Sequence, residues 1–152
     1  MTAPAHLGAD PGKSGGLAIV YADGTAEAWK MPETEVDLLD LMTELRSRWS
    51  SDKVPHATIE VVHAMPKQGV SSSFTFGRGY GALRMALLVK RFALHEVQPA
   101  AWQKALGCRT KGDKNVSKRR AQELFPTLKV THAIADALLI AEYGRRVAGG
   151  VG

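Results

Sequence analysis

The chain has 152 residues, 45% of them hydrophobic and 23% charged, a composition typical of a folded globular protein and not of a disordered one. The apolar runs are too short to span a membrane, the first residues carry no secretory signal, and the single cysteine excludes a disulfide framework. We therefore expect one domain over residues 1–152, with a frayed tail from about residue 148, in the cytoplasm and without a membrane partner. The net charge of +5 suits a polyanionic partner.

Hydrophobic periodicity and turn residues predict the elements. In chain order they are strands at 6–10, 17–21 and 25–30, a helix at 35–49, a strand at 57–62, a helix at 74–91, a strand at 92–97, and helices at 99–106, within the basic stretch 109–125, and from the N-cap Thr131 to about 147. Short connections make the first three strands antiparallel neighbours. The predicted buried face of the first helix carries Val36, Leu39, Met42, Leu45 and Trp49.

This order of elements resembles the RNase H fold. It is an α/β fold with a five-stranded mixed sheet, three antiparallel strands followed by two parallel ones, flanked by helices, and its first and fourth strands lie side by side. A doubly wound nucleotide-binding fold is the competing interpretation. Its first strand would lead directly into a helix, whereas here the first strand leads into a second strand.

Three acidic residues stand where the predicted core leaves little room for charge. Asp10 closes the first strand beside a Pro-Gly turn, where a turn aspartate is the ordinary interpretation. Glu60 lies in the apolar fourth strand, so it must face water at a sheet edge, pair with a basic group, be protonated or bind a metal. His132 and Asp136 are four residues apart on the last helix and share a face, as the members of a surface ion pair also do.

Taken together, the acids predict a metal site. Adjacent first and fourth strands would bring Asp10 close to Glu60, and the last helix could place Asp136 and His132 over them. Clustered carboxylates repel one another unless cations screen them, which favours Mg²⁺ or Mn²⁺. Two such ions about 3.5–4 Å apart could hold a phosphodiester, one activating water and the other stabilising the leaving 3′-oxygen.

Several segments resemble RuvC-type Holliday junction resolvases. They are the first strand and turn (Gly8-Ala9-Asp10-Pro11-Gly12, then Ser14-Gly15-Gly16), Ile59-Glu60, the glycine-rich stretch at 76–81 and the last helix from His132 to Ala141. The Trp-containing stretch at 99–104 and the segment at 120–126 are similar to plant plastid resolvases and to related bacterial and phage proteins. In bacterial RuvC proper the last-helix pair is spaced by three residues, whereas His132 and Asp136 are four apart.

The resemblance implies a homodimeric endonuclease that resolves four-way DNA junctions by paired symmetric nicks, in a bacterial or phage-infected cell near the nucleoid. It implies Asp10, Glu60 and Asp136 as catalytic metal ligands for two Mg²⁺ or Mn²⁺ ions. It also implies that His132 either binds a metal or helps to position or protonate a group in the cleavage step.

A basic segment, defined here as residues 104–120, carries seven cations against one acid, Asp113. The seven are Lys104, Arg109, Lys111, Lys114, Lys118, Arg119 and Arg120. We expect them to bind DNA phosphates, with Lys67, Arg78 and Arg84 extending the footprint. A merely solvated basic loop is the alternative.

The stretch after the second acid supplies candidates for a residue at the junction centre. Met65, Phe74 and Phe76 could stack on an unpaired base, although core packing is the ordinary interpretation of each. Gly77, Gly79 and Gly81 would each cost a helix about 1 kcal/mol. Either a partner helix or the DNA backbone approaches them, or a loop delays the start of the helix.

Other functions fit less well. Gly12-Lys13-Ser14 is similar to the end of a phosphate-binding loop, but the glycine spacing is one residue short and a strand follows where the motif needs a helix. Another RNase H-fold nuclease, acting on RNA–DNA hybrid or structured RNA, would share the acids. A non-cleaving junction-binding protein would not need all three.

Overall fold

A computed structural model of the protein describes residues 2–63 and 67–148. Within these described residues, ten elements follow one another: β1 (Pro4–Asp10), β2 (Gly16–Tyr21), β3 (Ala26–Lys30), α1 (Glu35–Arg46), β4 (His56–Glu60), α2 (Val70–Val89), β5 (Ala93–Val97), α3 (Pro99–Ala105), α4 (Lys114–Leu124) and α5 (His132–Ala148). The strands form one sheet in the order β3-β2-β1-β4-β5. β1 to β3 are antiparallel, and β4 and β5 continue the sheet in parallel with β1. The predicted fold class is confirmed.

The alternation of side chains along the strands divides the core between the two faces of the sheet. Leu7 and Ala9 of β1 face α1 and α2, together with Ile59 of β4. The opposite face is covered by α5, with α3 and α4 beside it, and contains Ala18, Trp102 and Leu138 among its buried residues. β2, β3 and β5 therefore contribute alternate residues to two separate hydrophobic layers, whereas β1 and β4 turn Gly8, His6 and Thr58 toward α5.

A glycine lets α5 lie directly on the central strand. A Cβ atom on Gly8 would overlap the backbone of Ala137 and Ala141 and lie 2.8 Å from the Cα of Ala141. At the other end of α5, a side chain on Gly144 would overlap the ring of His6. Because successive residues of α5 contact β1 from its carboxyl end to its amino end, α5 runs antiparallel to β1.

Several predicted boundaries move. α1 ends at Arg46, and its buried residues are Leu38, Met42 and Leu45, so the expectation that Val36 and Leu39 are buried was wrong. They are 69% and 44% exposed, because the side of α1 that faces the sheet is the one that carries Leu38 and Met42, four residues apart. Trp49 lies beyond the helix and is buried edge-on against Phe92.

The second helix differs most from its prediction. α2 starts at Val70, four residues before the expected start, so the proposed loop that would delay the helix past its glycines is wrong. Gly77, Gly79 and Gly81 lie within α2, and a Cβ on any of them would meet no described atom within 4 Å. β4 ends at Glu60 and not at residue 62. At the carboxyl end, Ala148 is still helical, and the remainder of the predicted tail lies outside the described residues.

Candidate active site

The pairing of β1 with β4 places Asp10 beside Glu60. Ala9 is the register partner of Ile59, and Asp10 and Glu60 are the next residue on each strand. Ala9 and Ile59 point into the α1–α2 layer, so their successors point to the other face, toward α5. Both acids therefore stand at the carboxyl ends of adjacent parallel strands, on the side that the last helix covers.

The antiparallel course of α5 brings Asp136 to the same end of β1. A Cβ on Gly16, the register partner of Asp10, would lie 2.8 Å from the carbonyl oxygen of Ala133 in the first turn of α5. α5 begins directly after Thr131, whose carbonyl oxygen accepts a bond from the backbone N–H of Ala135 at 3.1 Å, as the predicted start requires. Asp136 follows one turn after His132, which is exposed at the tip of the helix.

The three carboxyl groups affect one another electrostatically. Burial raises the pKa of Asp10 to about 8, with further increases from the charges of Asp136 and then Glu60, and Lys114 opposes the rise. Burial also raises the pKa of Asp136, while a hydrogen bond from Ser117 and the charges of Lys114 and His132 lower it. Carboxyl groups that repel one another in a buried place hold protons at neutral pH unless cations replace them.

Glu60 has a partner that the sequence analysis did not identify. The indole N–H of Trp102 in α3 donates a hydrogen bond to Oε2 of Glu60 at 2.6 Å. Burial raises the pKa of Glu60, the bond from Trp102 lowers it, and the charge of Asp136 raises it. The sequence suggested that Glu60 faces water, pairs with a basic group, is protonated or binds a metal. The structure shows another partner, a hydrogen bond from the uncharged indole of Trp102.

The donor set suits a hard divalent cation in kind, since it consists of half-buried carboxylates on three elements. Asp10 and Glu60 end adjacent strands, and the charge of Asp136 raises the pKa of both. Among residues 2–63 and 67–148, no three His, Cys, Asp or Glu side chains converge tightly enough to hold a metal ion.

The basic segment borders this group of acids through α4. Lys114 is the first residue of α4 and acts on both Asp10 and Asp136, while Lys118 and Arg119 line a groove on the outer surface of the helix. Lys104, Arg109 and Lys111 are exposed on α3 and in the following loop. Arg120 differs, since its side chain donates to the carbonyl oxygen of Leu106 at 2.9 Å and forms an ion pair with Glu123 at 3.2 Å.

The residues proposed to extend the DNA footprint fall on or just before α2. Phe74 is 71% exposed, whereas Phe76 is half-buried against the turn after Asp10, where a Cβ on Gly12 would lie 3.1 Å from its ring. Lys67 is exposed, and Arg78 is paired with Glu35 of α1 at 3.0 Å. Met65 lies outside the described residues. Of the two phenylalanines, Phe74 is the one that presents its ring to solvent.

One hydrogen bond of the acids was missed in the sequence, that from Trp102 to Glu60, and so was the effect of Ser117, which lowers the pKa of Asp136. Trp102 was noted only as part of a motif. A buried indole N–H needs an acceptor, and a carboxylate within an apolar strand needs a donor, so these two unmet requirements were a usable signal. Ser117 is 96% buried on the inner face of an otherwise basic helix, and no local pattern distinguishes it from a packing serine.

No protein-family model matches the sequence, and no curated protein is similar enough to count as a relative. Solved structures do match. RuvC of Thermus thermophilus superposes with a TM-score of 0.65 at 18% identity, covering 96% of each chain. The same protein in complex with a Holliday junction substrate gives a TM-score of 0.63, with the same identity and coverage. At this identity the likeness establishes the fold, an RNase H-like sheet as in RuvC.

Over the described part of the chain, no helix has the length and apolar character needed to cross a bilayer.

Proposed function

We propose that the protein is a metal-dependent endonuclease that resolves four-way DNA junctions by paired symmetric nicks. The observation that carries the proposal is that Asp10, Glu60 and Asp136, from distant parts of the chain, are half-buried at one end of the sheet, where burial and the charge of Asp136 raise the pKa of both Asp10 and Glu60. A binding protein would have no use for this costly arrangement. The superposition with RuvC, which has been solved with a Holliday junction substrate, supports the choice of DNA substrate.

In this proposal Asp10, Glu60 and Asp136 would hold Mg²⁺ or Mn²⁺, with two ions in the complete site. When bound, such ions supply an activated water and charge stabilisation for the leaving 3′-oxygen. His132 stands one turn before Asp136 and is exposed, so it can bind a cation or hand a proton to the departing strand. Lys114, already within electrostatic reach of the acids, is suited to hold the phosphate next to the scissile one.

The surface beside the acids suits the approach of a phosphate backbone. Lys104, Arg109, Lys111, Lys118 and Arg119 are at least partly exposed over α3, the following loop and α4. Lys67 and Phe74 would continue this surface from the start of α2. Arg78 and Arg120 would contribute less, because each is already paired with a glutamate.

Paired nicks require two active sites, and the outer face of α2 is suited to join two copies. Phe74, Met85 and Leu88 lie at helical spacing on one side of α2 and are 71%, 58% and 42% exposed. Gly77 and Gly81 lie on the same stripe, and the absence of side chains there would allow another helix to approach closely. We therefore propose a homodimer that forms through α2.

The proposal covers residues 1–152 as one domain. The nearer kinship with plant plastid resolvases rests on the motifs at 99–104 and 120–126 alone. A protein that acts on branched DNA would work in the cytoplasm beside the nucleoid.

The test compares three substrates in Mg²⁺: a four-way junction labelled in turn on each strand, linear duplex, and RNA–DNA hybrid. We expect nicks at symmetric positions in two opposite strands of the junction, and none with Asp10→Asn or in EDTA. Preferential cutting of the hybrid would replace the proposal with another RNase H-fold nuclease. If the wild type binds the four-way junction tightly but does not cut it, the proposal is wrong and the protein is a non-cleaving junction-binding protein.

A further inference from the structure

The bond between Trp102 and Glu60 joins a core residue to a candidate ligand. The Trp102 side chain is 1% exposed, and its indole N–H donates to Oε2 of Glu60 at 2.6 Å. An indole has one donor and no acceptor, so this contact uses the whole polar capacity of the ring. The donor is buried, and its acceptor is the one acid of the three that sits on β4.

The fold holds the indole in place from two sides. Val97 is the register partner of Glu60, and its carbonyl oxygen accepts the N–H of Val61 at 2.8 Å, so β5 is fixed beside the acid. α3 starts at Pro99, immediately after β5, and carries Trp102 into the layer under α5. The indole cannot turn away without opening that layer, whereas the Glu60 side chain stands at the free end of a strand.

We propose that Trp102 is a positioning residue for Glu60, holding Oε2 so that Oε1 is presented to a divalent cation bound with Asp10 and Asp136. This inference rests on the proposed function. A donor that fixes a ligating carboxylate raises metal affinity because the side chain loses less conformational freedom when the ion binds. A purely structural role would require only that the indole N–H be satisfied.

The test measures Mn²⁺ binding to the protein without DNA, by the loss of the free-ion electron paramagnetic resonance signal. Trp102→Phe removes the donor and keeps an aromatic ring in the core. We expect it to weaken Mn²⁺ binding by about 10- to 100-fold, the usual effect of losing a group that supports a metal ligand. The matched control is Trp49→Phe, the same change in the opposite layer, where Trp49 is 9% exposed and contacts Phe92. It should bind Mn²⁺ as the wild type does.

A second readout needs no change at Trp102. The chain has three tryptophans, so the ¹⁵N spectrum contains three indole N–H resonances, and that of Trp102 is assigned by its absence from Trp102→Phe. If Trp102→Phe fails to fold, the resonance that moves in Glu60→Ala gives the assignment. In the wild type, we expect this resonance to keep the chemical shift of a hydrogen-bonded indole N–H in saturating Mg²⁺. In Glu60→Ala it should move to the chemical shift of an indole N–H without a hydrogen bond.

The two hypotheses fail in different ways. Wild-type Mn²⁺ affinity in Trp102→Phe, or a shift of the Trp102 resonance to the unbonded position when Mg²⁺ binds, would overturn the positioning role and leave the nuclease intact. A wild-type protein that binds no Mn²⁺, or binds it equally well with Asp10→Asn, would overturn the metal site itself.

Discussion

Replacing Asp10 with asparagine should stabilise the protein in the absence of metal while abolishing cleavage. The unfolded chain has this carboxyl near its ordinary pKa of 3.8, and the folded chain raises the pKa to about 8. Between these values the folded state binds more protons than the unfolded state, so this group's contribution to stability is lost as the pH rises from 3.8 to 8. Each pH unit in that window costs about 1.4 kcal/mol, which amounts to about 4 kcal/mol at pH 7.

Asparagine has the same shape and carries no charge, so Asp10→Asn avoids this cost. Because Glu60 and Asp136 share the repulsion and take up part of the proton, we expect a gain of about 2–3 kcal/mol at pH 7 and less than about 2 kcal/mol at pH 5. Urea unfolding in EDTA at the two pH values measures both differences. Saturating Mg²⁺ should stabilise the wild type and leave the variant unchanged.

The matched control is Asp40→Asn, an acid exposed on α1, which should change stability little at either pH. An Asp10→Asn protein that is no more stable than the wild type, or a gain that does not grow from pH 5 to pH 7, would refute the view that Asp10 is a buried, repelled carboxyl.

Three other predictions concern packing, a buried histidine and the basic surface. Gly8→Ala should destabilise by about 1–3 kcal/mol or more, because the new methyl group would push α5 off β1; an unchanged urea midpoint would contradict that packing. Burial, aided by the charges of His95 and His56, lowers the pKa of His6 to about 3, so between pH 6.5 and 3 the unfolded chain binds a proton at this residue that the folded protein does not, and stability falls progressively below pH 6.5. At pH 5 this amounts to about 2 kcal/mol, and unfolding titrations of His6→Gln should lack that slope, whereas an equal slope in both proteins would contradict it. Junction affinity should fall steeply with salt, and Lys118→Gln with Arg119→Gln should reduce the log–log slope by about 2 if both contact phosphates; an unaltered slope would place the DNA elsewhere.

The sequence predicted the parts of the fold that depend on local pattern. The turns after residues 10 and 21 and the apolar runs of the first strands predicted their antiparallel pairing. The adjacency of the first and fourth strands, which placed Asp10 beside Glu60, came from the resemblance of the element order to the RNase H fold. The start of α5 was also readable, because Thr131 precedes a long helical period. The antiparallel pairing of the first three strands and the start of α5 follow from interactions between residues close in the chain.

Other features depend on contacts between distant segments and were missed. The inward face of α1 is decided by how the helix lies against β1 and α2, so Val36 and Leu39 were assigned to the core although both are exposed. α2 begins before its glycines, and no described atom lies close to them to explain their presence. The bond from Trp102 to Glu60 spans 42 residues and could be anticipated only as two separate unmet requirements.

The most direct test of the central claim is the position of bound Mn²⁺, located by anomalous diffraction from crystals of the wild-type protein soaked in MnCl₂. We predict one or two anomalous peaks among the carboxylates of Asp10, Glu60 and Asp136. Crystals whose peaks lie only elsewhere, with these three side chains ordered and unliganded, would contradict the account.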